Sequence, residues 1–226
     1  YIPLQPISLI LDLTTLDGDV RLSPVNRRAL EYAIAKGVHI VIASGRSFAS
    51  LPRDVTAVPG IEYAITSNGA AVYHVPTGTR LHSYAMTPES VRRILELVSE
   101  EPVVCEAFVD GTAYAHDAYV ADPVKYGATP QAIRYIQSTR HPEADITGFI
   151  RRHIDRLDSL DLIVREEADK QRIWARLEDT VPDIYIPSAV RQLIEISHRD
   201  AGKHSGVRFV AERLGLSPAD IAAFGD

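Results

Sequence analysis

The stretch LILDLTTLDGD, Leu9 to Asp19, decides how the rest of the chain is read. An apolar run from Ile7 to Leu11 ends at Asp12. A short run that is apolar on both faces reads as a strand buried inside a parallel sheet. An aspartate directly after such a strand is how an α/β enzyme that handles phosphate presents a nucleophile. It is equally an ordinary cap or turn former. The residues that follow, Leu13-Thr14-Thr15-Leu16, do not choose between a working loop, a damaged loop and a plain strand end.

The neighbouring segments extend the pattern. LSPVNRRALEYAIAKG, 22–37, reads as a helix with Ser23 as N-cap, Pro24 first and Gly37 at the C-terminal cap. Val25, Ala29, Ala33 and Lys36 are expected on one face, with Leu30 and Ile34 beside them. VHIVIAS gives a second buried strand ending at Ser44, a helical segment is expected near 48–57, and EYAIT gives a third strand ending at SNGA. A β-α-β-α-β order implies a parallel sheet with right-handed crossovers.

Beyond that the pattern changes. AAVYHVPTGTRLHSYAM reads as two antiparallel strands around Pro76-Thr77-Gly78. TPESVRRILELVSEE reads as a helix capped by Thr87, with Val91, Ile94, Leu95 and Val98 inward. PVVCEAFVDGTAYAH reads as a hairpin turning at Asp110-Gly111. Residues 117–150 are polar and carry no clear period. DLIV is a short strand, EEADKQRIWARLEDT a helix burying Ile173, Trp174 and Leu177, and DIYIPSAVRQLIEIS two more strands. KHSGVRFVAERLGLSPADIAAFGD closes with a helix, a loop and a buried strand ending at Asp226. The expected fold class is α/β: a Rossmann-like parallel-sheet core, 1–83 and 190–226, with an inserted α+β domain, 84–189.

Composition bounds the partners. Hydrophobic residues make up 46% and charged residues 24% of 226, with a net charge of −6. An acidic chain has no electrostatic drive toward nucleic acid or an anionic membrane, and no apolar run approaches the roughly 18 residues of a membrane span. The opening YIPLQPISLILDL lacks the basic start and cleavage site of a signal peptide. A lone Cys105 leaves neither an internal disulfide nor a multi-cysteine metal site. The expected compartment is the cytoplasm; oligomeric state is not legible.

In open parallel sheets, ligands sit beyond the carboxyl ends of the strands. The expected strand ends present Asp12, Ser44, Asn68 and Asp226, and Lys203 opens a helix whose N-terminus can face an anion. Singly, each has an ordinary reading: Asp12 a cap, Ser44-Gly45 a turn, Lys203 a solvated helix start, Asp226 a chain end. Together, two carboxylates, a hydroxyl, an amide and an ammonium suit a phosphoryl group beside a magnesium ion, because oxygen ligands hold that metal and a carboxylate can attack phosphorus. There is no Gly-x-Gly-x-x-Gly and no Gly-x-x-x-x-Gly-Lys, so a plain nucleotide-binding module lacks its phosphate loop.

These pieces, LILDL with Asp12, GVHIVIASGRS with Ser44 and Arg46, AITSNGAAVY with Asn68, LIEISHRDAGKHSGV with Lys203, and LGLSPADIAAFGD with Asp226, resemble in kind and order the haloacid dehalogenase superfamily, in particular the Cof-like hydrolases (type IIB) with a large inserted cap. The resemblance implies a Mg2+-dependent phosphatase of small phosphorylated metabolites, sugar phosphates or similar, working through an aspartyl-phosphate. It implies Asp12 as nucleophile and magnesium ligand, Ser44 as hydrogen-bond donor to the phosphoryl group, and Lys203 as its charge partner. Asp226 becomes a further magnesium ligand, and Gly45, Arg46 and Asn68 border the substrate. The cap would choose the leaving group.

Two departures stand out. After the nucleophile the family has Asp-x-Asp-Gly-Thr, whereas this chain has Asp12-Leu13-Thr14-Thr15. Inserting Asp-Gly after Leu13 restores the pattern as DLDGTTLDGD. The absent aspartate is the family's acid and base, and its loss is expected to slow turnover roughly 100- to 10,000-fold. The chain also opens on Tyr1 and stops at the last metal motif, so further residues are expected at both ends and possible in the loop. A true deletion would instead make a catalytically impaired relative that binds a phosphorylated ligand.

Overall fold

In chain order, a computed structural model shows β1 (Ile7–Ile10), α1 (Pro24–Ala35), β2 (Ile40–Ala43), α2 (Arg53–Thr56), β3 (Ile61–Thr66), β4 (Ala71–His74) and β5 (Thr79–Ser83). There follow α3 (Pro88–Val98), β6 (Val103–Val109), β7 (Thr112–His116), α4 (Asp117–Ala121), α5 (Ile133–Thr139), β8 (Arg140–Glu143), α6 (Ile146–Arg152), β9 (Leu157–Val164), α7 (Glu167–Thr180), β10 (Ile184–Tyr185) and β11 (Leu193–His198). Last come α8 (Lys203–Leu214) and β12 (Ala222–Phe224). The structure describes residues 7–10, 22–187 and 191–224. They form two compact units, one from Tyr1–Ser83 with Ala201–Asp226 and one from Tyr84–Asp200.

The first unit is built on a six-stranded sheet ordered β12-β1-β2-β3-β4-β5. The first four strands are parallel and β4 and β5 are antiparallel. The carboxyl ends of β12, β1, β2 and β3 therefore share one edge, and the strand order reverses between β12 and β1. Every residue of β2 is buried, because both sheet faces are covered. On one side Leu30, Val55 and Val58 pack against Ile40, Ile42 and Ala64. On the other, Val210 of α8 packs against Val41, Ala43 and Ile65.

Local signals were followed closely at α1. The Ser23 hydroxyl accepts from the Asn26 N–H, and Gly37 sits at φ +84°, where a side chain is disfavoured. The inward stripe is shifted, however. Val25 is 65% exposed and Leu30 is buried, with Ala33 and Ile34 half-buried. The expected helix over 48–57 is instead a 3-10 turn, Phe48–Ser50, and the single turn of α2. Pro52 separates them as N-cap, since proline cannot donate into a continuing helix.

The second unit has a sheet ordered β10-β11-β9-β6-β7-β8. One face packs under α3 and α7, through Val91, Ile94 and Leu95 with Ile173 and Leu177 against Ala107, Leu160, Leu162 and Ile194. The other is partly covered by Tyr119, Ala128 and Ile136. Residues 117–150, unreadable in sequence, hold α4, α5, α6 and the parallel strand β8. The strand expected at DLIV runs twice as long, Leu157–Val164, and all eight residues are buried. Its polar residues Asp158, Ser159 and Asp161 hid it, because a strand flanked by two others and covered on both faces is ordinarily apolar. The boundary expected at 189/190 falls later: β11 pairs antiparallel with β9, which places 191–200 in the second unit.

Candidate active site

Ser44 follows β2 at the carboxyl edge of the first unit's sheet and is fully buried. Its N–H donates to the Ile65 carbonyl at 2.9 Å, extending the β2–β3 ladder by one rung. Its carbonyl accepts from the Asn68 N–H at 3.2 Å, and its hydroxyl accepts from the Arg46 N–H at 3.1 Å. The Arg46 carbonyl in turn accepts from the Ser67 N–H at 2.9 Å. The loops after β2 and β3 are thus laced together by backbone bonds. Gly45 permits their approach, since a Cβ there would lie 2.9 Å from Oδ1 of Asn68.

The second loop is bent sharply. Ser67, Asn68 and Gly69 have φ of 47°, 53° and 97°, three successive residues in the left-handed region. L-residues with side chains avoid that region, at about 1–2 kcal/mol each, so packing must hold the loop. The close contact lies at Gly69: a Cβ on it would stand 2.1 Å from the Gly202 carbonyl oxygen and 2.7 Å from its nitrogen. Two backbones meet there, and the residue after Gly202 is Lys203, first in α8. Gly206, one turn on, presses α8 against Ile65 of β3, with a virtual Cβ 2.4 Å from Cγ2. Two glycine contacts therefore set the N-terminus of α8 beside the loop that Ser44 supports. A twelve-residue helix carries partial positive charge at this end.

Of the expected site residues, Ser44, Gly45, Arg46, Asn68 and Lys203 are brought together at this edge. Asp12, two residues after β1, and Asp226, two residues after β12, lie outside the described residues. Among the described residues no group of three or more His, Cys, Asp or Glu is arranged to hold a metal ion. Sequence reasoning missed Ser67. Its hydroxyl is buried and has no hydrogen-bond partner among the described residues. Its place beside Asn68 in SNGA was visible; its left-handed backbone and orphan hydroxyl were not.

A parallel α/β sheet with a hydroxyl and an amide at its carboxyl edge, beside the helix that Lys203 opens, and with a second α+β unit inserted between its strands, defines a Rossmann-like enzyme core with a cap-type insertion. The sequence profile of the haloacid dehalogenase-like hydrolases matches residues 7–226, and the chain belongs to that family. Phosphatase YwpJ of Bacillus subtilis is 22% identical over 236 residues, which cover 97% of this chain and 82% of YwpJ. A haloacid dehalogenase-like hydrolase structure from B. subtilis has a TM-score of 0.78 at 21% identity, covering 98% of this chain and 83% of its own. The subclass IIB sugar phosphatase BT4131 has a TM-score of 0.75 at 16% identity, with 98% and 80% covered. The expected superfamily and fold class are thereby borne out. No helix among the described residues is long and apolar enough to cross a membrane.

Proposed function

We propose that this hydrolase is a phosphatase of small phosphorylated metabolites and that its site is the carboxyl edge just described. One observation carries the reading: the Gly69–Gly202 contact seats the N-terminus of α8, with Lys203, beside the Ser44–Asn68 loop pair. A helix N-terminus beside a buried hydroxyl, with a lysine as the first helical residue, is suited to hold an anion, and a phosphoryl group in transfer spreads negative charge over three oxygens. The phosphatase name of YwpJ supports the same reading.

In this reading Asp12 attacks phosphorus in line, forming an aspartyl-phosphate as the ester oxygen leaves, and water then hydrolyses the acyl phosphate. Ser44 and Asn68 orient the phosphoryl oxygens, and Lys203 balances their charge through attack and hydrolysis. Arg46 and Gly45 border the ester. Oxygen donors are the ligands magnesium prefers, so Asp12 and Asp226 are the residues that would hold Mg2+, which would neutralise phosphate charge. We assign the choice of leaving group to the second unit.

The second reading, an impaired relative that binds a phosphorylated ligand, is favoured by Asp12-Leu13-Thr14-Thr15, where the family's acid-base aspartate and its glycine are missing. One experiment separates the two. Phosphate release is followed with magnesium present, from an aryl phosphate and from a sugar phosphate, for this chain and for a variant with Asp-Gly inserted after Leu13. An aryl leaving group needs little protonation, so the gap between the two proteins should be smaller on it than on the sugar ester, where it should reach roughly 100-fold or more. Asp12→Asn should abolish release in both without unfolding them. Release that survives Asp12→Asn would refute the nucleophile and the reading with it. Release by neither protein would leave the binding reading in its place.

A further inference from the structure

His204 is the second residue of α8, directly after Lys203, and it is exposed. Side chains in the first turn of a helix lean back toward its N-terminus. His204 does so: a Cβ placed on Gly202 would lie 2.4 Å from its Cε1 and 2.5 Å from its Nδ1. The ring therefore lies against the backbone of Gly202, in space that a side chain at that position would fill. Gly202 is also the residue whose backbone meets Gly69. One glycine thus touches both the imidazole and the loop that carries Asn68 and Ser67, whose buried hydroxyl has no partner among the described residues. Among the described residues, neither ring nitrogen of His204 makes a hydrogen bond or an ion pair.

An exposed histidine in a first helical turn is ordinarily a solvated surface group. Two observations set this one apart. Its ring is seated on Gly202, beside the loops of the candidate site. The chain's chemistry also has a gap, because Asp12-Leu13-Thr14-Thr15 lacks the aspartate that serves the family as acid and base. An alkoxide leaves poorly unless it is protonated, and water attacks an acyl phosphate faster when a base takes its proton. Serine, asparagine, arginine and lysine side chains do not ordinarily exchange protons near neutral pH. Histidine is the side chain that ordinarily does.

We propose that His204 supplies part of this chain's acid-base catalysis: its imidazolium protonates the departing ester oxygen, and the resulting imidazole takes a proton from the attacking water. This rests on the phosphatase reading of the site. In the first half, a bond forms from an Asp12 carboxylate oxygen to phosphorus as the bond from phosphorus to the ester oxygen breaks. The imidazolium proton moves to that oxygen and the alcohol leaves. In the second half, the water oxygen bonds to phosphorus, the bond to Asp12 breaks, and a water proton returns to the imidazole. The ring ends as it began, and ester plus water has become alcohol plus phosphate.

His204→Gln keeps a polar side chain of similar size that cannot carry the proton. With magnesium present, kcat for phosphate release from a sugar phosphate should fall by at least about tenfold, a part of the 100-fold or more that a full acid and base supply, with KM little changed. Release from an aryl phosphate should fall less, because its leaving group needs little protonation. The same substitution in the variant with Asp-Gly inserted after Leu13 should cost little on either ester, because the restored aspartate carries the proton. Unchanged release from the sugar ester, an equal loss on both esters, or an equal loss in both proteins would overturn the proposal. Release from the sugar ester by the Asp-Gly variant alone would overturn it too, and would leave the phosphatase reading standing. With no release by either protein from either ester, that reading and this proposal fall together.

Discussion

Replacing Gly69 by alanine tests how the candidate site is assembled. The new Cβ would lie 2.1 Å from the Gly202 carbonyl oxygen, where ordinary contact begins at 3.4 Å, so one backbone must retreat by more than 1 Å. Two costs combine. The first is conformational: φ of +97° charges a side-chain-bearing residue about 1–2 kcal/mol. The second is the collision, which cannot be relieved by rotating a side chain because both partners are backbone. Gly37→Ala isolates the first cost, since Gly37 has φ +84° and nothing within 4 Å of a Cβ. The control should lower the melting temperature by a few degrees, at about 2–4 °C per kcal/mol for a chain this long. Gly69→Ala should lower it further. Displacing Lys203 by about 1 Å should also slow phosphate release about 100-fold, while Gly37→Ala leaves release unchanged. Calorimetry and a phosphate-release assay read the two effects. Equal melting temperatures for the two variants, or full activity in Gly69→Ala, would show that the Gly69–Gly202 contact does not hold the site together.

Ser67→Ala removes a buried hydroxyl with no partner among the described residues, so stability should hold or rise by up to about 1–3 kcal/mol. If that hydroxyl meets a charged phosphoryl group, turnover should fall roughly tenfold; a fall in melting temperature at unchanged turnover would make it a structural residue. Arg140→Leu strands Glu106 as a buried charge and should cost about 3–5 kcal/mol in denaturant unfolding, read at Trp174. Adding Glu106→Leu should recover most of that loss, and a double variant less stable than the single one would refute the pairing as the source of the cost.

The chain's local chemistry was legible before its structure. Caps, glycines and strand periods are short-range properties, and they located α1, α3, the hairpin at Asp110-Gly111 and the parallel β1–β3 core. The motif order from Ser44 to Lys203 is equally linear, which is why the family could be read from residues. Where sequence reading missed, a long-range partner made the decision. Val25 reads as inward because helical period alone sets the stripe, yet the sheet beneath α1 meets Leu30 instead. β11 looked like part of the first unit until its register with β9 claimed it for the second. Polar residues concealed β9 because only its neighbours on both sides make it central. Glu106, Asp161 and Glu195 are unremarkable singly and far apart in sequence; strand pairing alone sets them in one row. The same holds at the site. Gly69 and Gly202 are 133 positions apart in numbering, and no local rule joins them. Their contact depends on α8 packing through Gly206 and Val210 onto β2 and β3. Sequence determined which groups this protein carries and the class of chemistry they suit; tertiary packing decided which of them meet, because burial and register are properties of pairs that the chain brings together only when folded.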